Sequence, residues 1–302
     1  MSLTNYQPIP NHVVIVTGGN SGIGYEALKE LARLEATVIM ASRSEAKAKA
    51  AIATLQQELP TAKVVFKELQ LADLSSIKRF SDEFKQEYNR LDFLINNAGV
   101  MYGPYQKTKD GFEHQFGTNH LGHFALTGEL LPLLQATPHS RIITVSSLAH
   151  RGGKMDFTNL QFERKGSYSP QKAYGRSKLA NLHFGYELDR RLKLAESTIK
   201  SIVVHPGVSK TNLFDQLSSG PIIRRLFQMM SLFIQSAEAG ALPTLYACFE
   251  PLQGGEYIGP DGFGELKGEA KIVKSSKSSR NIKDAKELWR MSEELTSTIY
   301  PL

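Results

Sequence analysis

Short apolar runs alternate with amphipathic helical periods along most of this chain, and this alternation limits the possible folds more than any other feature. Because the runs are short and almost continuously apolar, they are typical of strands buried on both faces of a parallel sheet. Repeated strand–helix units therefore predict an α/β fold with a doubly wound parallel sheet and right-handed crossovers. The predicted strands are His12–Thr17, Thr37–Ala41, Lys63–Glu68, Leu91–Asn96, Arg141–Ser146 and Thr198–His205.

Apolar residues at helical spacing form two clear faces between these strands. One face consists of Ile23, Ala27, Leu28, Leu31 and Leu34. The other consists of Ile77, Phe80, Phe84 and Tyr88, after the predicted N-cap residues Ser75 and Ser76. The 302 residues contain no linker and no internal repeat. We therefore predict a single domain, residues 1–302, with insertions near 148–170 and 208–236.

Composition and charge exclude several classes of protein. The net charge is +6, but no nucleic-acid-binding motif accompanies it, and lysines near the C-terminus alternate with acidic residues as on a solvated surface. The single cysteine, Cys248, forms no intrachain disulfide and fits no metal-ligand spacing, so we interpret it as a buried helix residue. His120 and His123 lie three residues apart on a predicted helix, but no third ligand is evident, and no metal site is predicted.

No segment is apolar over the length that crosses a bilayer. Residues 1–11 lack the basic and apolar regions of a signal peptide. We therefore expect a cytoplasmic protein without a transmembrane segment. The sequence leaves open whether the chain is a homodimer or a monomer.

A glycine-rich turn follows the first predicted strand and precedes a helix, as in the Rossmann fold. Its sequence is Thr17-Gly18-Gly19-Asn20-Ser21-Gly22-Ile23-Gly24. Glycines in such a turn allow a tight bend, close approach of the backbone to a pyrophosphate and close packing of helix on strand. The free N–H groups of the helix then favour phosphate. Glycines also occur in ordinary turns, but this position favours a dinucleotide.

The end of the second strand indicates which dinucleotide binds. NAD sites usually have an acidic residue there for the ribose 2′-hydroxyl. This chain has Ser42 followed by Arg43. Since a guanidinium binds a 2′-phosphate through paired hydrogen bonds, NADP(H) is favoured as the cofactor. The alternative is that Arg43 simply ends a strand at the surface.

Other strand ends supply further candidates. Asp73 is predicted to accept from the adenine amino group, with Leu74 beside the ring, although Asp73 fits the start of a helix as well. Asn97, Ala98 and Gly99 end strand four, where small residues let a cofactor pass close to the backbone. Asn119, in the next helix, carries an amide that can hold a water or a carbonyl.

Tyr174 and Lys178 are the strongest catalytic candidates. Their i, i+4 spacing in a helical pattern places them on one face. An ammonium beside a phenol favours the phenolate, so we expect Lys178 to lower the pKa of Tyr174 from about 10. This would suit the phenol to general acid–base work.

From about Val13 to Gly207 the chain resembles the short-chain dehydrogenase/reductase family. The resemblance implies that Tyr174 donates a proton to a carbonyl, Ser147 polarises it, Lys178 binds the nicotinamide ribose and Asn119 anchors a relay water. It also implies that Asn97 lies along the cofactor ribose. Further residues would flank the nicotinamide or contact its carboxamide or diphosphate: Pro206, Gly207, Val208 and Thr211.

Ser147 and Tyr174 are farther apart in sequence than in many compact family members. The extra segment, residues 151–170, is predicted to be a surface excursion near the mouth of the site. A similar insertion occurs in the NADPH-dependent retinol dehydrogenases and their WW-domain relatives, which this chain resembles. An apolar segment, residues 213–234, is predicted to form a lid that selects a bulky carbonyl, together with Met101 and Tyr102.

The predicted function is an NADP(H)-dependent oxidoreductase, or carbonyl reductase, that interconverts an apolar aldehyde or ketone and its alcohol. Its partner is then a small molecule and not a nucleic acid. The alternative is an NADP-binding, redox-sensing regulatory protein with little turnover. Such regulators usually lack the tyrosine or the lysine, and this chain has both.

Overall fold

One sheet of eight strands runs through the part of the chain that the structure, a computed structural model, describes, namely residues 6–209 and 235–302. The spatial order is β3-β2-β1-β4-β5-β6-β7-β8, and only the β7–β8 pair is antiparallel. The strands are β1 Val13–Thr17, β2 Thr37–Ser42, β3 Val64–Glu68, β4 Phe93–Asn96, β5 Arg141–Val145, β6 Lys200–Val204, β7 Tyr257–Pro260 and β8 Ala270–Ile272.

All six predicted strands are confirmed. The sequence did not predict β7 and β8, because β7 is only four residues long and β8 is half exposed. Strand β1 pairs with β2 on one side, as in Val14 opposite Val38, and with β4 on the other, as in Val14 opposite Phe93. The strand order therefore reverses at β1, and the crevice beyond the carboxyl ends of β1 and β4 is where such sheets bind ligands.

Helices cover both faces of the sheet, as predicted. Two separate apolar clusters fill the space between helices and strands, one on each side, and Cys248 is buried in one of them. The helices are α1 Gly22–Arg33, α2 Glu45–Glu58, α3 Leu74–Glu87, α4 His114–Phe116, α5 Gly122–Ala136, α6 Pro170–Leu194, α7 Ala237–Phe249 and α8 Ile282–Thr296.

The start of α3 differs from the prediction. Asp73 is the N-cap, and its carboxylate accepts the backbone N–H groups of Ser75 and Ser76. The two serines predicted as caps therefore lie inside the first turn. An aspartate satisfies two free N–H groups there, which explains why it takes the capping position.

Helix α8 packs on α5 and α6 through Trp289. The indole ring contacts Phe124 of α5 at 5.1 Å between centroids and Tyr300 at 4.6 Å. The C-terminal segment thus closes one side of the apolar core. The basic residues between 267 and 286 are all exposed, as expected for a solvated surface.

Candidate active site

Glycines shape the turn that follows β1. Gly18 and Gly22 have φ angles of +67° and +57°, a region that residues with a side chain rarely adopt. A β-carbon on Gly24 would overlap the side-chain amide of Asn97 and lie 2.6 Å from the carbonyl oxygen of Gly18. Ser21, the N-cap of α1, makes no side-chain capping bond, so the first N–H groups of α1 remain available to an anion.

The end of β4 is tied to the end of β1. The Thr17 hydroxyl oxygen accepts the backbone N–H groups of Asn97 and Ala98, each at 2.9 Å. In return, the side-chain amide of Asn97 donates to the Thr17 carbonyl at 2.8 Å. These bonds fix the floor of the crevice next to the glycine-rich turn.

The carboxyl end of β2 also lies beside this turn, because the Gly18 N–H donates to the carbonyl of Ala41 at 2.8 Å. Ser42 is buried there, whereas Arg43 is exposed. The guanidinium of Arg43 forms no salt bridge with any carboxylate in the two described ranges. Among the described residues, Arg43 thus has no carboxylate partner at the position where the sequence predicts a 2′-phosphate.

Asp73 is held by its own surroundings. Its carboxylate caps α3 and forms an ion pair with Lys109 at 2.7 Å. Burial alone would raise its pKa, but Lys109 and the hydrogen bonds from Ser75 and Ser76 lower the pKa to about 2. The start-of-helix interpretation of Asp73 is thus confirmed. The adenine contact of Asp73 and the neighbouring Leu74 stays a prediction.

Asn119 lies in a π-helical turn, Gly117–Leu121, and bridges two parts of the site. Its side-chain oxygen accepts the Val100 N–H at 2.8 Å, and its nitrogen donates to the Val100 carbonyl and to the Ser177 hydroxyl, both at 2.9 Å. The amide therefore joins the loop after β4 to α6.

Tyr174 and Lys178 lie on one face of α6, as predicted, and both are buried. The ammonium nitrogen of Lys178 is 5.8 Å from the centroid of the Tyr174 ring. It donates to the carbonyl of Val145, at the end of β5, at 3.0 Å. A β-carbon on Gly99 would lie 3.3 Å from the Asn119 side-chain oxygen and 3.4 Å from that nitrogen, so the loop after β4 passes close to both side chains.

The expected lowering of the tyrosine pKa is wrong for this structure. Burial raises the pKa of Tyr174 to about 12, although a hydrogen bond with Ser147 acts in the opposite direction. Burial also lowers the pKa of Lys178 to about 8. The loss of water around the phenol outweighs any effect of the lysine, whose ammonium is directed to the Val145 carbonyl.

Ser147 begins the 3₁₀ turn Leu148–Gly152 after β5. Its hydroxyl oxygen accepts the Ala149 N–H at 3.2 Å and lies within hydrogen-bonding reach of Tyr174. The preceding hydroxyl, of Ser146, donates to the Lys178 carbonyl at 2.7 Å. The structure thus brings together the predicted serine, tyrosine and lysine at the carboxyl end of the sheet.

Pro206, Gly207 and Val208 follow β6. Gly207 has a φ of +65°, and the Val208 N–H donates to the Leu266 carbonyl at 2.8 Å. Residues 210–234 lie outside the described residues, and so do the predicted contact of Thr211 and the predicted lid. Ser209 and Gln235, on either side of that segment, form a parallel β-bridge.

Aromatic rings line the approach to Tyr174. Tyr102 packs edge-on against Tyr174 with 5.3 Å between centroids. Tyr168, in the segment before α6, packs against Tyr105 at 5.2 Å and donates to the Gly103 carbonyl at 2.6 Å. Tyr102 thus lies directly against Tyr174, and Tyr105 and Tyr168 pack on the same loop after β4.

Arg176 anchors the insertion between β5 and α6. Its buried guanidinium donates to the carbonyls of Lys154, Asn159 and Leu160, and it lies 3.8 Å from the centroid of Phe162. The segment predicted as a surface excursion is therefore anchored through buried residues. Its tie to Gly103 places it beside the site, as expected.

The two histidines considered as metal ligands have other partners. The Nδ1 atom of His123 is 3.0 Å from the Asn119 carbonyl, and its Nε2 is 2.9 Å from the Thr17 hydroxyl. The Nε2 of His120 contacts the Ser292 hydroxyl at 2.9 Å. Both rings thus connect structural elements around Asn119.

A sequence model described as short chain dehydrogenase matches residues 12–221. The chain belongs to this family. Its members are oxidoreductases that act on alcohols and carbonyl compounds and use nicotinamide cofactors. The doubly wound sheet and the position of the Tyr174–Lys178 pair agree with that assignment.

Similar proteins are known along nearly the whole length of this short-chain dehydrogenase. It is 42% identical to "Retinol dehydrogenase 14" of Mus musculus over 95% of this chain and 86% of that protein. It is 38% identical to "Polyprenol dehydrogenase" of Homo sapiens, over 97% and 88%. A solved structure of an uncharacterised protein from Mycobacterium paratuberculosis is 40% identical, with a TM-score of 0.83, covering 100% of this chain and 99% of that one.

Sequence reasoning missed several residues that support this dehydrogenase site. Thr17, Ser177 and His123 each contact a predicted site residue through a hydrogen bond. Thr17 ends a predicted strand just before the glycines, and that position could have identified it as a residue that supports the site. No pattern in the sequence indicated the other two. Among the described helices, none has the length and apolar character needed to span a membrane.

Proposed function

We propose that this chain is an NADP(H)-dependent oxidoreductase that interconverts an apolar aldehyde or ketone and its alcohol, with Tyr174 as the general acid and base. The observation that carries the proposal is the convergence of Ser147, Tyr174, Lys178 and Asn119 beyond the carboxyl ends of β4 and β5. A hydroxyl pair, a buried cation and a fixed amide are together the groups that carbonyl reduction needs.

The cofactor fits the glycine-rich crevice. Gly18, Gly22 and Gly24 allow backbone contact with a pyrophosphate, and the uncapped start of α1 supplies N–H groups for it. Arg43 would bind the 2′-phosphate, which favours NADP(H) over NAD(H). Asn20, Ile23, Ala98, Gly99, Pro206, Gly207 and Val208 would complete the cradle. Bound NADPH supplies a hydride for the carbonyl carbon.

Side chains of the site would then act on the carbonyl oxygen of the substrate. Because burial keeps the pKa of Tyr174 near 12, its proton is present at neutral pH and can be donated to the developing alkoxide. Ser147, hydrogen-bonded to Tyr174, would stabilise the negative charge on that oxygen. Lys178 would hold the nicotinamide ribose, and its positive charge would stabilise the phenolate that forms. That phenolate would then take up a proton again by way of Asn119 and water.

An apolar substrate would suit the aromatic rings of Tyr102, Tyr105 and Tyr168, of which Tyr102 lies against Tyr174. The names of the similar proteins also support an apolar substrate, since retinol and polyprenol are both large, poorly water-soluble alcohols. We therefore propose a bulky apolar carbonyl or alcohol as substrate, without choosing one. A mostly reduced NADP pool would favour reduction.

The test is Tyr174→Phe, which removes one hydroxyl and leaves the ring packed against Tyr102. We expect NADPH affinity close to that of the wild type and loss of NADPH-dependent turnover on a panel of apolar carbonyls. Turnover at the wild-type rate in this variant would refute the role of Tyr174. Tight NADPH binding by the wild type without turnover of any panel member would favour a redox-sensing regulator instead.

A further inference from the structure

Two buried histidines follow the strands that end at the proposed active site. His150 lies in the turn Leu148–Gly152 after β5, and His205 directly follows β6. Neither side chain is exposed to solvent. Tyr257 of β7 packs between them, with its ring centroid 5.6 Å from that of His150 and 5.0 Å from that of His205.

The tautomer of His150 is set by its partners. Its Nε2 accepts the backbone N–H of Ser276 at 3.2 Å, so that nitrogen carries no proton. The proton is therefore on Nδ1, which lies 2.6 Å from the carbonyl of Ser147. His150 thus donates a short hydrogen bond to the backbone of the residue whose hydroxyl meets Tyr174.

His205 has the opposite tautomer. Its Nδ1 accepts the backbone N–H of Gly207 at 3.2 Å, so its proton is on Nε2. That nitrogen lies 3.0 Å from a carboxylate oxygen of Glu265, and Glu265 also pairs with Arg151 at 2.8 Å. Gly259 makes this arrangement possible, since a β-carbon there would overlap the His205 ring.

We propose that His150 and His205 are positioning residues, which fix the backbone of Ser147 and the turn at Gly207 and so align the serine hydroxyl and the nicotinamide end of the cofactor. The inference rests on the proposed function. It adds that the segment after β7 takes part in catalysis indirectly, because the Ser276 N–H donates to His150 and the Glu265 carboxylate lies beside His205.

The chemistry of the contacts favours positioning over simple packing. Most buried polar groups in proteins have hydrogen-bond partners, and here each ring uses one nitrogen on a backbone group of a site loop. Burial lowers the pKa of both histidines, which keeps them neutral and preserves these directions. The two rings therefore hold the site loops in position and do not transfer protons.

A matched pair of substitutions tests His150. In His150→Asn the amide nitrogen occupies the place of Nδ1 and can still donate to the Ser147 carbonyl. In His150→Gln the amide reaches the place of Nε2, so the Ser276 contact is kept and the Ser147 contact is lost. We expect His150→Asn to retain most of kcat and His150→Gln to lose about 10²-fold, as for a slight misplacement of a reacting group.

Thermal unfolding and NADPH titration of both variants show whether the fold and cofactor site are intact. Equal kcat values for folded His150→Asn and His150→Gln, or a change confined to KM, would overturn the role of His150. If His150→Gln does not fold, His150→Asn still tests the role of His150. A folded His150→Asn with strongly reduced kcat would contradict the donor role, because this variant keeps the donor to the Ser147 carbonyl.

A double-mutant cycle with Ser147→Ala gives a second test. If His150 acts through Ser147, adding His150→Gln to Ser147→Ala should cause no further loss of kcat. Additive losses would mean that His150 acts elsewhere. Tyr174→Phe is measured alongside these variants. Wild-type turnover in Tyr174→Phe refutes the proposed function. If Tyr174→Phe is inactive but His150→Gln has the wild-type kcat, only the positioning role is refuted.

His205 is tested through cofactor binding. His205→Asn retains an acceptor for the Gly207 N–H, and His205→Leu does not. We expect His205→Leu to bind NADPH at least several-fold more weakly than His205→Asn, while 2′,5′-ADP, which lacks the nicotinamide end, binds both equally. Equal NADPH affinities, or a matching loss of 2′,5′-ADP affinity, would overturn the role of His205.

Discussion

The side-chain amide of Asn97 occupies the space that a β-carbon on Gly24 would need. Asn97 is held there by its hydrogen bond to the Thr17 carbonyl. The first turn of α1 can therefore pack against the end of β4 only when residue 24 has no side chain. This contact sets how closely the start of α1 approaches the proposed pyrophosphate.

Gly24→Ala should consequently weaken cofactor binding. Relief of the overlap requires movement of Asn97 or of α1, and such overpacking typically costs about 1–3 kcal/mol. NADPH affinity should fall about tenfold or more, measured by fluorescence titration. Gly152→Ala is the control, because a β-carbon there meets no atom within 4 Å. Equal affinities of the two variants would contradict the packing argument.

Arg43→Ala should weaken binding of NADPH and leave binding of NADH nearly unchanged. A hydrogen bond to a charged group is worth about 1.5–3 kcal/mol, and only NADPH carries the 2′-phosphate. Isothermal titration with both cofactors measures the two changes. An equal loss for both would show that Arg43 has another role.

His183 should make the protein sensitive to acid. Neither ring nitrogen has a hydrogen-bond partner among the described residues, and burial lowers the pKa of His183 from its ordinary 6.5 to about 4. As the pH falls from 6.5 to about 4, His183 takes up a proton in the unfolded chain but not in the folded one, so the free energy of unfolding decreases. His183→Leu should remove this loss.

Urea denaturation between pH 4 and 6.5 measures the effect. The slope of the unfolding free energy against pH should be smaller in His183→Leu than in the wild type by about 1.4 kcal/mol per pH unit. Replacement of the exposed His139 by Gln provides the control. A parallel shift of the whole curve without a change of slope would count against protonation of His183.

Catalytic efficiency should rise with chain length in a series of straight-chain aldehydes. Each methylene buried against an apolar wall adds about 0.8 kcal/mol. Tyr102→Ala should flatten the trend, since its ring lies against Tyr174, whereas the half-exposed Tyr105 changed to Ala should alter it less. A preference for small charged substrates would refute an apolar site and leave the cofactor assignment intact.

The sequence predicted the parts of this molecule that depend on local patterns. Continuous apolar runs marked the buried strands, and fixed spacings marked the glycine-rich turn and the Tyr174–Lys178 pair. It did not predict β8, which has only three residues, two of them exposed, and which pairs with β7 alone in the sheet. Contacts between distant residues, such as Asn119 with Ser177, leave no local pattern.

The pKa of Tyr174 could not be predicted for the same reason. Spacing on a helix shows that a lysine is near, but the direction of the shift depends on how much water surrounds the phenol. That quantity is set by Tyr102 and the rest of the packed site. Burial is a property of the whole fold, and the sequence around Tyr174 does not contain it.

The β-bridge between Ser209 and Gln235 places the residues on either side of 210–234 next to each other. A stretch inserted between two adjacent anchors can change in length or sequence without shifting the register of any strand. The stretch can therefore vary as a unit while the elements that carry Ser147, Tyr174 and Lys178 stay in place. Chimeras joined at these two residues would show how far the choice of substrate resides there.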